Sequence, residues 1–224
     1  MLALLEYEGR EKLVATGEPD KPRAMQRAAA RFAHGGGRFP ALMALTDPAR
    51  APDPAAALAS LARGSALIWR CYGTPPGRKA LADLSRAARA GGILLLIAGK
   101  ARAASNSGAD GLHLPERSLR GGCGLAATRR AGLVMTAAAH SEAAIFRAAR
   151  ARIGAVLISP VFPTASHPGA PALGVVRFAR LAHLARRLGL HVYALGGITG
   201  PASLRRLTGS GADGVAGVGF LSQA

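Results

Sequence analysis

Eight short apolar runs, separated by longer stretches of alanine, arginine and leucine at helical spacing, constrain this chain more than any other feature. The runs are ALMALT (41–46), ALIWRC (66–71), ILLLIA (93–98), GLHL (111–114), LVMTA (133–137), AVLIS (155–159), VYAL (192–195) and GVAGV (214–218). Between them lie DPAAALASLA, GRKALADLSRAARA, SEAAIFRAARAR, VVRFARLAHLARRL and PASLRRL, several opened by Asp, Ser or Pro in positions suited to a helix start. Strand-length runs alternating with helix-length ones predict an α/β fold of repeated strand–helix units around a parallel sheet. Eight such units in 224 residues predict a (β/α)8 barrel.

Two regions stand outside that arithmetic. Residues 1–38 form an N-terminal extension in which PRAMQRAAARFAHGGG reads as a helix opened by proline and closed by glycines. Residues 39–224 form the barrel, and only FLSQA follows its last strand, so the eighth helix is short or missing. The N-terminal helix is therefore expected to cover the barrel wall or bottom.

The pentapeptide SGADG occurs twice, at Ser107–Gly111 and Ser210–Gly214, each time running into a strand. In a parallel barrel such a phrase is the turn from one helix into the next strand, on the face opposite the one where these barrels build their active sites. Asp110 and Asp213 are accordingly read as structural.

Composition narrows the function classes. The formal net charge of +17 invites a nucleic-acid reading, but the arginines are scattered among alanines as on solvated helix faces, and aromatics, which would stack on bases, are only 4%. The charge fits the attraction of a small phosphorylated substrate better than a nucleic-acid partner. No apolar run approaches the length of a membrane helix, and MLALLEYEGREK carries acidic residues where a signal peptide would be apolar, so a soluble cytoplasmic protein is expected. Cys71 and Cys123 have neither metal-ligand spacing nor a disulfide pattern and are read as ordinary thiols. The oligomeric state is left open.

By the face rule the chemistry belongs at the strand ends. After strands seven and eight come ALGGITG and AGVGF, whose Gly196, Gly197, Gly217 and Gly219 allow backbone amides to approach an anion closely. The long connection after strand six, SPVFPTASHPGAPALG, displays Thr164, Ser166 and His167 among prolines, which suits phosphate or substrate binding.

GADGLHLPE, SPVFPTASHPG…ALG, VYALGGI and SGADGVAGVGF, in that order, resemble the thiamine phosphate synthase/TenI family of (β/α)8 barrels over about residues 39–221. The resemblance implies a phosphate grip in which Thr164 and Ser166 match two threonines and His167 replaces a lysine. With an imidazole there, phosphate affinity is expected to depend on pH near neutrality. Synthases of the family join a pyrimidine pyrophosphate to a thiazole phosphate with magnesium held by two aspartates; here Gly99 and Ser118 stand at those places, and the usual Gln-x-Arg-x-Lys survives only as Arg70. The resemblance is closer to the TenI-like thiazole tautomerases, which need no metal and use an acid–base histidine after strand five. TAAAHSEAA puts His140 there.

The expected activity is thus a metal-independent thiazole tautomerase acting on a small phosphorylated substrate, with no cofactor. The alternatives are a divergent synthase that holds Mg2+ through Glu116 or Asp47, and a non-catalytic homologue that binds a phosphorylated ligand. His113, inside strand four, is read as a hydrogen-bonded interior residue and Asp47 as a turn cap.

Overall fold

Alternate residues of each strand point into the barrel and out to the helices, and both sets are apolar. Met43, Leu45, Ala66, Ile68, Leu96, Val134, Leu157, Tyr193 and Ala216 form one buried cluster inside the barrel; Leu42, Ala44, Leu67, Leu95, Leu112, Val156, Val192 and Val215 belong to a second, between strands and helices. Strands buried on both faces read as continuous apolar runs, which is why all eight stood out. The computed structural model describes residues 21–32, 38–48, 50–71, 77–99, 108–120, 125, 132–164, 169 and 171–221.

The strands are β1 (Leu42–Leu45), β2 (Ala66–Arg70), β3 (Leu94–Ala98), β4 (Gly111–Leu114), β5 (Val134–Ala139), β6 (Ala155–Ile158), β7 (His191–Leu195) and β8 (Gly214–Gly217). All pair in parallel and in sequence order, and β8 closes on β1 through Met43 opposite Ala216. Among the described residues the helices are α1 (Lys21–Ala29), α2 (Pro54–Ser60), α3 (Arg78–Gly91), α4 (Glu142–Arg150), α5 (Gly174–Arg187) and α6 (Pro201–Arg206), with a 3₁₀ turn at Glu116–Leu119 after β4. The expected strand limits hold to within a residue or two; the useful difference is β5, which runs on to Ala139 and so delivers residue 140 directly to the barrel mouth.

Helix starts follow the sequence signals. Asp53 Oδ1 accepts from the Ala55 amide at 2.8 Å ahead of Pro54, and Ser141 Oγ accepts from the Ala144 amide at 3.2 Å. Three helix ends share one device. Gly92, Arg152 and Gly189 take positive φ after α3, α4 and α5, and the next residues, Ile93, Ile153 and Leu190, return their amides to Ala88, Ala148 and Ala185. Each of those apolar residues is buried under the helix it terminates.

The two SGADG phrases do the same work twice. Asp110 Oδ2 accepts from the Leu95 amide at 2.9 Å and Asp213 Oδ2 from the Val192 amide at 2.9 Å, so each carboxylate caps the start of the neighbouring strand, β3 or β7. The glycine that follows has no room for a side chain: a Cβ on Gly111 would lie 2.4 Å from the Val134 carbonyl oxygen, and one on Gly214 would lie 2.5 Å from the Tyr193 ring.

Helix α1 stands on the barrel wall. It buries Met25 and Ala29, and the 3₁₀ turn after it buries Phe32; it packs against β1 and α6, and Gln26 Nε2 donates to the Arg63 carbonyl beyond α2 at 2.7 Å. That is the gap between α6 and α2 where a helix following β8 would lie. Among the described residues no helix is long and apolar enough to cross a membrane.

Candidate functional site

The inward-facing residues nearest the strand ends set the floor of the barrel mouth. Ala98 of β3 pairs with Arg70 of β2 on one side and His113 of β4 on the other, and His113 pairs with Thr136 of β5. His113 is buried and its Nδ1 lies 2.8 Å from Thr136 Oγ1, as expected for an interior residue. Burial, aided by the nearby Arg70 guanidinium, pushes its pKa down to about 4, so the imidazole is neutral at pH 7.

Above this floor opens a cavity of about 380 Å3, bordered by Arg70, His140, Thr164, Gly196, Gly197, Gly217 and Gly219. Seven of the nine residues singled out from the sequence thus converge, from the ends of β2, β5, β6, β7 and β8. Ser166 and His167 lie outside the described residues. Arg50 and Ser159 also border the cavity, and sequence reasoning missed both.

His140 follows β5 and is exposed at the mouth. Its Nδ1 lies 2.8 Å from the Ser159 carbonyl oxygen and 3.3 Å from Ser159 Oγ. A carbonyl can only accept, so Nδ1 carries the proton and the neutral ring presents its lone pair at Nε2. Its own amide donates to Glu116 Oε2 at 3.0 Å, and Glu116 Oε1 pairs with Arg147 of α4 at 2.9 Å. The backbone and one ring nitrogen are both fixed, while Ser141 caps α4, so His140 is not the helix cap.

On the far wall, Arg70 Nε donates to the Thr46 carbonyl at 2.6 Å, its amide to Thr46 Oγ1 at 2.9 Å, and its terminal nitrogen to Asp47 Oδ2 at 2.9 Å. Arg50 reaches the same carboxylate at 3.4 Å. Asp47 is therefore an ion-pair hub, joined to Ala51 by two backbone hydrogen bonds, rather than a turn cap.

The glycines of the β7 end are required by packing as well as suited to an anion. Gly196 and Gly197 have φ of 99° and 67°, and the β6 loop lies against both, with Phe162 donating its amide to the Gly196 carbonyl at 3.1 Å. Gly217 is the buried last residue of β8 rather than part of its loop, and the Phe220 ring occupies the space its side chain would take. Cys71, just past β2, is a half-buried thiol whose pKa burial raises, which makes it a poorer nucleophile.

The family model described as thiamine monophosphate synthase matches residues 51–221. The chain belongs to that family. A thiamine-phosphate synthase from Chromobacterium violaceum is 35% identical over 176 residues, covering 76% of this chain and 80% of the relative. A putative thiamine-phosphate synthase 2 from Aquifex aeolicus is 32% identical over 113 residues, covering 50% and 58%. Among solved structures, thiamine phosphate pyrophosphorylase from Pyrococcus furiosus superposes with a TM-score of 0.60 at 21% identity, covering 78% of this chain and 83% of that one. Deoxyribose phosphate aldolase from Aeropyrum pernix gives 0.58 at 17%, covering 90% and 95%, a likeness of fold.

Magnesium, which the resemblance to the synthases of this family implies, finds no suitable donor set among the described residues. Gly99 has no side chain and Ser118 offers a hydroxyl where carboxylates are wanted by a hard dication. Asp47 and Glu116 are each already engaged by arginine, Asp47 by Arg70 and Arg50 and Glu116 by Arg147. A carboxylate neutralised in this way is a weak ligand, and no three His, Cys, Asp or Glu side chains converge among the described residues.

Proposed function

We propose that this member of the thiamine monophosphate synthase family is a metal-independent thiazole tautomerase of the TenI-like kind, with His140 as the acid–base residue. The observation that carries the reading is the fixed tautomer of His140: Nδ1 bonded to the Ser159 carbonyl at 2.8 Å, beside a cavity bordered by Arg70, Thr164 and the glycines after β7 and β8. The glycine amides, Thr164, Ser166 and His167 would hold the phosphate, as the family resemblance implies.

The step balances without a cofactor. Nε2 of the neutral imidazole takes a proton from the thiazoline ring, and the electron pair of that bond moves into the ring as the exocyclic double bond shifts inward. The imidazolium returns the same proton to the exocyclic carbon, giving an aromatic thiazole and the original base. While charged, the ring donates from Nδ1 to the Ser159 carbonyl, which stabilises the imidazolium. The Arg70 guanidinium on the opposite wall favours the negative charge left on the substrate.

A second reading, a divergent synthase, is favoured by the 35% identity to a thiamine-phosphate synthase. The two separate in one set of assays. Isomerisation of a thiazole phosphate carboxylate, followed by absorbance with a chelator present, is expected to proceed, and His140→Ala to slow it on the order of 100-fold or more with little change in ligand affinity. Equal turnover by the variant removes His140 from the mechanism. Magnesium-dependent formation of thiamine phosphate from the pyrimidine pyrophosphate overturns the tautomerase reading.

A further inference from the structure

Charge is divided unevenly along this chain. The first twenty residues, MLALLEYEGREKLVATGEPD, hold five of the twelve carboxylates against two basic residues, whereas residues 143–212 contain nine arginines and no carboxylate. That opening segment lies outside the described residues and outside the matched family region, which begins at residue 51. The arginine-rich stretch takes in most of α4 and then β6, α5, β7 and α6, which follow one another around the barrel.

Helix α5 gathers that charge into a line. Phe178, Leu181, Ala182 and Ala185 are its buried face, so Val176, Arg180, His183 and Arg187, spaced four, three and four residues apart, stand together on the outer one. All four are exposed, Val176 to 71%, and a surface groove runs past Arg180, His183, Leu184 and Arg187. Neighbouring helices bring their own counter-charges: on α3 Asp83 pairs with Lys79 and Arg86, and Glu116 holds Arg147 of α4. Helix α5 has no carboxylate of its own, and among the described residues its carboxylate partner is Asp213, which takes Arg186. The opening segment joins the fold close by. Arg31 and Phe32, just after α1, border the same cavity of about 420 Å3 as His183 and Arg186 of α5. The nine residues of α1 lead back from there, about 14 Å of helix, to Lys21. Twenty residues of chain span up to about 65 Å, far more than the roughly 10 Å width of one helix.

We propose that residues 1–20 dock along the outer face of α5, with their carboxylates on Arg177, Arg180 and Arg187 and their leucines against Val176 and Leu184. The match is double. In the segment Leu2, Leu4, Leu5 and Tyr7 are interleaved with Glu6 and Glu8, and on the helix an exposed valine and a partly buried leucine are interleaved with arginines. A nucleic acid would match the charge alone. The segment is also tethered, so its effective concentration at the helix is in the millimolar range, above that of a free partner of similar affinity. Ion pairs on an exposed surface are individually weak, so the docking depends on several of them acting with the apolar contact.

The test is photo-crosslinking in the full chain, with benzoylphenylalanine in place of Tyr7 and the adducts located by peptide mass spectrometry. In about 0.1 M salt the adducts are expected within one chain and on α5. Their yield should fall about fivefold or more in about 1 M salt, as the Debye length shrinks from about 10 Å to about 3 Å. The triple variant Arg177→Gln, Arg180→Gln, Arg187→Gln should show a similar loss in the lower salt, and so should Glu6→Gln, Glu8→Gln, Glu11→Gln, which leaves every described residue in place. The three arginines are exposed, so their replacement does not open the core, and thermal melting checks this. Adducts on the barrel mouth or on α3, adducts between two copies, or none on α5 overturn the proposal. Adducts on α5 that persist undiminished in both triple variants overturn it as well.

Discussion

A methyl group built on Gly197 would stand 2.5 Å from the Pro163 carbonyl oxygen and 2.6 Å from Phe162 Cβ, on a backbone with φ of 67°. The left-handed conformation alone costs a larger residue about 1–2 kcal/mol, and the rigid neighbours add to it. Gly197→Ala is therefore expected to lose about 2–4 kcal/mol in denaturant unfolding, whatever the ligand does. Gly219 is different. Its φ is not positive, and the nearest atom to an added Cβ is the Ile198 carbonyl oxygen at 3.9 Å, so the fold does not demand glycine there. The phosphate site proposed above would give a reason, close approach of a ligand to the backbone. Gly219→Ala should leave stability within about 0.5 kcal/mol and weaken binding of the phosphorylated thiazole roughly tenfold; unchanged affinity takes Gly219 out of the phosphate site.

Helix α1 packs on the barrel wall against β1 and α6. Met25 and Ala29, four residues apart, share the face turned to β1 and α6, and the whole Met25 side chain is buried. Met25→Ala should cost about 2–4 kcal/mol in urea unfolding if α1 belongs to the cooperative unit, and under about 0.5 kcal/mol if the helix opens independently of the barrel. This placement was only half legible in the sequence, because nothing in PRAMQRAAARF says wall rather than bottom. The strands were legible because both of their faces are buried, and the SGADG turns because a repeated backbone task repeats its residues. Ser159 and Arg50 were not. Ser159 acts on His140 mainly through a carbonyl, which every residue possesses, and Arg50 in DPARAP looks like any solvated arginine until Asp47 and the cavity are seen beside it. His140 was found only through the family's pattern, since a lone histidine before a helix carries no period of its own.

At the scale of the whole barrel, four of the scarce carboxylates serve the framework. Asp110 and Asp213 cap strands at one end of the barrel, while Asp47 and Glu116 hold arginines and the His140 backbone at the other, and the chain as a whole carries a net charge of +17, the sign that would attract the anionic ligand proposed above. The same balance makes acid a hazard, and the barrel interior adds a specific weakness. His113 stands on β4 between Ala98 of β3 and Thr136 of β5, with Thr136 as its hydrogen-bond partner and the Arg70 charge nearby. Its pKa in the fold is about 4, against about 6.5 for a histidine in the unfolded chain. Above pH 6.5 both states are neutral and the residue costs nothing. Below it the unfolded chain takes up a proton that the folded barrel refuses, so stability falls with pH down to about 4, by about 3 kcal/mol in all. Other titrating groups move both proteins alike, so the comparison is with His113→Gln, which keeps a hydrogen-bonding side chain without the titration. Urea unfolding at pH 7, 5.5 and 4 should show the wild type losing about 3 kcal/mol more than the variant over that range. Parallel losses mean that the imidazole is not held neutral inside the barrel, and its assignment as an uncharged interior residue fails.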